Sequence, residues 1–82
     1  GMETFRIEVG HQHGVKPGNI VGAIANEADL ESRYIGRIDI RDSFTLIDLP
    51  EGMPSELMDH LRRVRVAGQQ LKISRDAGAP SR

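Results

Sequence analysis

Three flat side chains in this sequence, those of Phe44, Tyr34 and Arg6, are of the kind that stack on unpaired nucleobases. Phe44 and Leu46 alternate with apolar residues in the run DSFTLIDL, so we expect both on the solvent-facing side of a strand. Stacking of a base on an exposed aromatic ring contributes about 1 to 3 kcal/mol. The same two residues would also serve as an apolar patch for a protein partner or a second copy of the chain. The residues alone therefore leave RNA binding and protein interaction open as alternatives.

Several cationic and polar side chains could contact phosphate. Lys16 adjoins the predicted start of the first helix, where free backbone N–H groups favour anions. The chain carries 11 Lys and Arg against 12 Asp and Glu, so composition does not favour a nucleic-acid partner and the distribution of charge must decide. Arg62, Arg63 and Arg65 are interpreted as complements to the dipole at the end of the second helix. The residues that we assign to RNA binding are Arg6, His13, Lys16, Asn19, Arg33, Tyr34, Arg37, Arg41, Phe44 and Lys72.

No catalytic site is recognisable in the sequence. It contains no G-x-x-x-x-G-K-[ST] loop for nucleoside triphosphates, no Cys, and no Ser in a G-x-S-x-G context. His11 and His13, close to Glu8, match metal-ligand spacing only loosely. We therefore predict that this chain has no enzymatic activity, no metal and no cofactor of its own. It also lacks a signal peptide and any apolar run near the roughly 20 residues that cross a bilayer, so we expect no membrane association.

The periodicity of apolar residues predicts the elements that position these side chains. Alternation, the signature of a half-buried strand, covers residues 4–9, 34–40, 43–49 and 69–75. Helical spacing predicts a first helix from residue 17 or 18 to residue 28 and a second one after Pro54 and Ser55. Gly22 lies inside the first helix at a cost of about 1 kcal/mol, which predicts close approach of that helix to the sheet.

The order βαββαβ predicts an α+β domain with the ferredoxin-like split βαβ plan, in which a four-stranded antiparallel sheet carries both helices on one face. This is the RRM-like fold. We place the domain at residues 4–75, after a tag scar and flexible start at 1–3 and before a flexible tail at 76–82. The helix-covered face is predicted to carry Phe5, Ile7, Ile38, Ile40, Ile47, Leu49, Leu71 and Ile73. The open face is predicted to carry Arg6, Glu8, Arg37, Asp39, Phe44, Leu46, Gln70 and Lys72.

Four motifs carry a resemblance to a known family: HGVKPGNIVGAIANEADL at 13–30, SRYIGRIDI at 32–40, IDLPEGMP at 47–54 and RVAGQQLKI at 65–73. In this order and spacing they strongly resemble the C-terminal RNA-binding domain of bacterial DEAD-box RNA helicases of the DbpA and cold-shock DeaD class. SRYIG and GQQL are more similar to the cold-shock subgroup. The resemblance covers residues 4–75.

The resemblance implies an RRM-like accessory domain that anchors an ATP-dependent helicase core to structured RNA, ribosomal RNA above all. ATP and Mg would then belong to the core of the parent protein, which would be cytoplasmic and could dimerise. The alternative is an RRM-like module for protein interaction or dimerisation. The run DSFTLIDL departs from the RRM signature, which has a basic residue, Gly and two exposed aromatics. Contacts from the loop after the first strand, the first-helix start and a basic edge are therefore expected beside sheet-face stacking.

Overall fold

The structure, a computed structural model, describes residues 1–76. The predicted tail therefore lies outside the described residues except for Asp76. The elements follow in the order β1 (Met2–Ile7), a 3-10 turn (His11–His13), α1 (Pro17–Glu27), a second 3-10 turn (Ser32–Tyr34), β2 (Ile38–Ile40), β3 (Thr45–Pro50), α2 (Ser55–Arg63), β4 (Arg65–Val66), β5 (Gln69–Gln70) and β6 (Ser74–Arg75).

The main sheet has the strand order β2-β3-β1-β6, and every neighbouring pair is antiparallel. Phe5 lies opposite Ile47 and Ile7 opposite Thr45 in the β1–β3 register. Since opposed residues share a face of the sheet, the apolar residues of the two central strands fall on one side. This arrangement confirms the predicted α+β fold with its RRM-like order.

Both helices pack on that side. Ile20 and Ile24 of α1 and Leu61 of α2 are completely buried in one cluster with the central strands. All of the side chains predicted for the helix-covered face join this cluster, with Ile38 and Ile40 on the edge strand only partly buried. Thr45 is the buried polar residue of the described chain, and its hydroxyl donates a 2.6 Å hydrogen bond to the carbonyl oxygen of Val9.

The last segment departs most from prediction. Residues 69–75 were predicted as one strand, whereas β5 pairs with β4 around a turn at Ala67 and Gly68, whose φ angles are 54° and 77°. Only β6 joins the main sheet, because the left-handed φ of 46° at Lys72 breaks the extended run. Leu71 and Ile73 are nevertheless buried as predicted. The alternating pattern of apolar residues therefore predicted the orientation of these side chains but not the interruption of the strand at Lys72.

Other strand boundaries differ as well. β1 ends at Ile7, two residues before the predicted end, and β3 begins at Thr45, two residues after the predicted start, so Phe44 lies just before the strand. β1 begins at Met2, which pairs with Pro50, two residues before the predicted start. Tyr34 lies in a 3-10 turn and the second strand is shorter than predicted, although backbone hydrogen bonds from Gly36 to Asp48 and from Asp48 to Arg37 extend the pairing. The prediction of a strand starting at Tyr34 is therefore wrong.

The close backbone approach predicted for Gly22 occurs at Gly10 instead. Gly22 is exposed, and a Cβ atom there would have no neighbour within 4 Å. At Gly10 the same atom would lie 2.5 Å from the carbonyl oxygens of Arg41 and Asp42 and 2.6 Å from the backbone nitrogen of Phe44. Only glycine fits there, and these neighbours are backbone atoms that cannot rotate away.

We expect Gly10→Ala to lower the free energy of unfolding by about 2 to 3 kcal/mol, because the added methyl group must push two chain segments apart. Urea denaturation followed by circular dichroism measures this change. Gly22→Ala is the matched control and should raise the free energy of unfolding by about 0.5 to 1 kcal/mol, since it adds helix propensity in open space. Equal effects of the two substitutions would contradict the packing described here.

Candidate nucleic-acid interface

The open face of the sheet brings Arg6 together with Phe44 and Leu46. In the sheet, Arg6 of β1 lies opposite Leu46 of β3, and Leu46 lies opposite Asp39 of β2. The guanidinium carbon of Arg6 sits 4.0 Å from the centroid of the Phe44 ring. Two of the predicted stacking residues, Arg6 and Phe44, therefore form one stacked pair in which Arg6 covers the ring. We call this pair the Arg6 stack.

Glu8 holds the Arg6 guanidinium in place. Nε and Nη2 of Arg6 donate hydrogen bonds of 2.7 and 3.3 Å to the two carboxylate oxygens of Glu8, two residues along the same strand. This hydrogen bonding raises the pKa of Arg6 above its ordinary value. Because the ion pair is bidentate, it fixes the plane of the guanidinium as well as its position.

Arg41 is likewise paired, with Asp39. Its Nε and Nη2 donate hydrogen bonds of 2.9 and 2.8 Å to one oxygen of that carboxylate. These bonds lower the pKa of Asp39 and raise the pKa of Arg41. The positive charge of Arg41 is therefore largely balanced by its own neighbour.

Carboxylates interleave with cations over the whole open face. Asp48 lies beside Thr4, whose hydroxyl donates a 2.7 Å hydrogen bond to it, and backbone pairing places Asp48 next to Arg37. Arg37 is exposed at the start of β2. The sheet face thus has mixed charge, and it does not form the continuous positive surface that a phosphate backbone requires.

Tyr34 and Arg33 lie away from the Arg6 stack. They occupy the 3-10 turn before β2, at the end of the sheet opposite Phe44. The guanidinium carbon of Arg33 is 5.0 Å from the Tyr34 ring centroid, and its Nε is 3.0 Å from a carboxylate oxygen of Glu31. Tyr34 is 47% exposed. Tyr34 and Phe44 therefore cannot form one continuous stacking surface on this sheet.

His13 and Asn19 shape the loop between β1 and α1. The backbone N–H of Gly10 donates a 3.0 Å hydrogen bond to Nδ1 of His13, which ties off the 3-10 turn. The backbone N–H of Lys16 donates a 3.0 Å hydrogen bond to the side-chain oxygen of Asn19, in the first turn of α1. The Lys16 side chain itself is exposed beside the helix start.

Lys72 belongs to a cluster that the sequence did not reveal. Its backbone N–H donates a 3.1 Å hydrogen bond to the carbonyl oxygen of Arg62 at the end of α2, and the preceding residue pairs with Glu8. Arg63 is next to Arg62, and Arg65 follows in β4. All four cations are exposed. The run of arginines was visible in the sequence. Because we interpreted the arginines as partners of the helix dipole and Lys72 as a residue of the sheet, the sequence analysis did not place Lys72 beside them.

Hydrogen bonds also join the loop after β1 to the turn between β2 and β3. The backbone N–H groups of His11 and Gln12 donate to the carbonyl oxygens of Arg41 and Asp42, at 2.8 and 2.9 Å. The end of β1, the start of α1, the β2–β3 turn, the end of α2 and the β4–β5 hairpin therefore meet at one end of the sheet. We call this the basic end, defined by Lys16, Arg41, Arg62, Arg63, Arg65 and Lys72.

The opposite end of the sheet is acidic. The directions of the strands place four segments at this end: the residues after α1, the start of β2, the end of β3 and the start of α2. Two of its arginines are paired with carboxylates, Arg75 with Glu3 at 2.6 Å and Arg33 with Glu31 at 3.0 Å. The carboxylates of this acidic end are Glu3, Asp29, Glu31, Asp48, Glu51, Glu56 and Asp76. The chain is thus polarised along the strands, although Arg41 and Arg62 of the basic end are themselves paired with Asp39 and Asp59.

The described residues offer no alternative kind of site. In residues 1–76 no three His, Asp or Glu side chains lie close enough together to hold a metal ion, and no pocket for a small molecule is present. None of the helices in that range has the length and apolar character to cross a membrane. The exposed basic end is therefore the surface feature that distinguishes this domain.

The strand order, the two helices on one face and the loops gathered at the basic end define an RRM-like domain. The chain belongs to the DbpA RNA-binding domain family, whose model matches residues 4–75. This confirms the resemblance stated from the sequence.

The relatives are RNA helicases. The chain is 49% identical over 73 residues to the ATP-dependent RNA helicase DeaD of Haemophilus influenzae, a match that covers 89% of this chain and 12% of that protein. It is 47% identical over 72 residues to the protein of the same name in Escherichia coli, covering 88% of this chain and 11% of that one. For Mycobacterium tuberculosis the identity is 40% over 67 residues, covering 82% and 12%. The chain therefore spans about an eighth of the relatives' length.

We expect Asp39 to titrate below its ordinary pKa and Arg41→Gln to move that pKa upward, because Arg41 is its main partner. A carboxylate whose pKa is lower in the folded state stabilises the fold above its unfolded pKa, and this contribution disappears as the pH falls through the folded pKa. The chemical shift of the Asp39 carboxyl carbon, followed in an NMR pH titration, measures the pKa of Asp39. The control is Arg33→Gln, which should leave Asp39 unchanged. An Asp39 curve that is insensitive to Arg41→Gln would contradict the pairing.

Proposed function

We propose that this chain is the RNA-binding accessory domain of an ATP-dependent RNA helicase and that it binds structured RNA through its basic end. Membership of the DbpA RNA-binding domain family supports RNA as the ligand. The separation of charge along the strands supports the surface, because Lys16, Arg63, Arg65 and Lys72 are exposed at one end of the sheet and none of them is ion-paired within residues 1–76. This separation is the observation on which the proposal rests.

The backbone of the same end adds to the attraction for phosphate. At the start of α1, an 11-residue helix, Pro17 has no N–H group, and the N–H groups of Asn19 and Ile20 donate to the carbonyl oxygen of Lys16 at 2.9 and 3.4 Å. The N–H of Gly18 and the positive end of the helix dipole, with Lys16 immediately before the helix, therefore supply the attraction for an anion. Duplex RNA presents two rows of phosphates, so a surface made from several loops and a helix start fits it better than a flat sheet does.

In the parent protein, the helicase core would bind ATP and Mg and perform unwinding, while this domain would hold the core on its RNA. The names of the relatives support such a core. Ribosomal RNA is our proposed target, since it is the most abundant folded RNA. A protein that binds this target would be cytoplasmic, and we propose that the parent could dimerise there. Crosslinking of the tagged parent to total RNA tests this target. Recovery of ribosomal fragments in proportion to their abundance alone would count against it.

Binding of the 82-residue chain to a folded RNA should weaken steeply with salt. Each phosphate contact contributes a slope of roughly 0.7 to 0.9 in a plot of log affinity against log salt concentration. Fluorescence anisotropy with a labelled hairpin gives this slope. We expect it to correspond to several contacts, and a flat dependence would overturn the proposal.

Lys72→Asn tests the basic end without disturbing the backbone. Asn tolerates the left-handed conformation of this position better than most residues do, so the free energy of unfolding should change by less than about 0.5 kcal/mol. Loss of one phosphate contact should reduce the salt slope by roughly 0.7 to 0.9. Arg65→Gln should act similarly.

The matched control is Arg33→Gln at the acidic end, which removes an equal charge from a surface that we do not expect to touch RNA. Its salt slope and affinity should equal those of the unmodified chain. If Arg33→Gln weakened binding as much as Lys72→Asn, net charge and not the basic end would determine affinity, and the proposed surface would be wrong.

A further inference from the structure

The Arg6 stack borders the basic end on two sides. The carbonyl oxygen of Phe44 accepts a 2.8 Å hydrogen bond from the backbone of Arg41, which is part of the basic end. The backbone N–H of Glu8 donates a 2.7 Å hydrogen bond to the carbonyl oxygen of Leu71, next to Lys72. An RNA backbone that lies on the basic end would therefore pass directly beside Arg6, Phe44 and Glu8.

These three residues form a flat and rigid surface. A guanidinium has two faces, and the Phe44 ring covers one of them at 4.0 Å. The Arg6 side chain is still 42% exposed, so part of it remains in contact with solvent beside the Phe44 ring. The two hydrogen bonds to Glu8 prevent the guanidinium from rotating. A planar group that is already oriented loses little conformational entropy when a ligand stacks on it.

The charge of this surface selects a base in preference to a phosphate. Glu8 balances the charge of Arg6, and its carboxylate would repel a phosphate placed at the same point. A nucleobase is neutral and flat, and guanidinium planes stack on bases in RNA complexes. The Phe44 ring cannot be reached from the side that Arg6 covers, so a base must stack on Arg6 itself.

We propose, building on the function proposed above, that Arg6 is the stacking platform for one unpaired nucleotide adjoining the duplex whose phosphates bind the basic end. The RNA ligand would then be a duplex with a single-stranded extension or bulge, and a fully paired duplex would bind less tightly. In this arrangement Phe44 acts as a positioning residue that supports the plane, and Glu8 acts as a positioning residue that orients it.

Two hairpin RNAs with the same duplex, one blunt and one with a short single-stranded extension, test the platform. We expect the extension to tighten binding by at least about fivefold, the lower end of what base stacking contributes. Separate extensions at the 5′ and 3′ ends determine the strand polarity. Arg6→Lys keeps the charge and removes the plane, so it should abolish the gain from the extension, and the affinities of the two hairpins should become equal.

The chain offers a matched control in Arg33→Lys. Arg33 also lies over an aromatic ring, that of Tyr34, and is also paired with a glutamate, Glu31, but it is at the acidic end. The gain from the extension should survive this substitution. Lys72→Asn should weaken binding of both hairpins by the same factor, which leaves their ratio unchanged.

An NMR measurement on the unmodified chain gives a readout that does not depend on any variant folding. Stacking of a base over Arg6 should move its Nε–H proton resonance upfield through the ring current of the base, with the extended hairpin and not with the blunt one.

If the extension neither tightens binding nor shifts this resonance while blunt binding remains salt-dependent, the platform is wrong and the proposed function stands. If neither hairpin binds with a salt dependence, both proposals fail. If Arg6→Lys weakens both hairpins equally, Arg6 contacts phosphate and the platform is again wrong.

Discussion

Two backbone hydrogen bonds join the loop after β1 to the turn between β2 and β3, from His11 to Arg41 and from Gln12 to Asp42. They require Gly10, because any side chain there would collide with the backbone of the turn. This contact sets the distance between the start of α1 and the two central strands. The basic end and the Arg6 stack both depend on it, since their residues come from the segments that it joins.

Segregation of charge explains how a chain with a net charge of -1 can bind a polyanion. Long-range attraction depends on where charges lie, and a surface potential of one sign extends over about the Debye length of 8 to 10 Å at ordinary salt. In the proposed function the acidic end contributes as well, because its carboxylates would repel RNA and so favour one orientation of the domain on its ligand. Carboxylates that looked like a reason against RNA binding would then act as an orienting element.

Local patterns predicted most of the fold and little of the site. Alternation and helical spacing found the strands and both helices, because burial on one face imposes those periods directly. They missed the break at Lys72 and the turn at Tyr34, where backbone conformation follows from tertiary contacts that have no period. The grouping of Lys72 with Arg63 and Arg65 could not be predicted for the same reason: it depends on the left-handed residue and on the β4–β5 hairpin. The role of Gly10 likewise depends on a partner segment that is distant in sequence.

The chain contains the same local chemistry twice, which shows why residue type alone does not define a site. Arg6 with Phe44 and Glu8, and Arg33 with Tyr34 and Glu31, each combine a guanidinium, an aromatic ring and a carboxylate. The first group is held by a paired strand and adjoins the basic end, while the second lies in an exposed turn among carboxylates. A stacking surface contributes to RNA affinity only where phosphates are attracted close enough for a base to reach it. In the proposed function, the electrostatic potential around each group, and not its residue types, therefore decides which of the two would bind a base of the RNA.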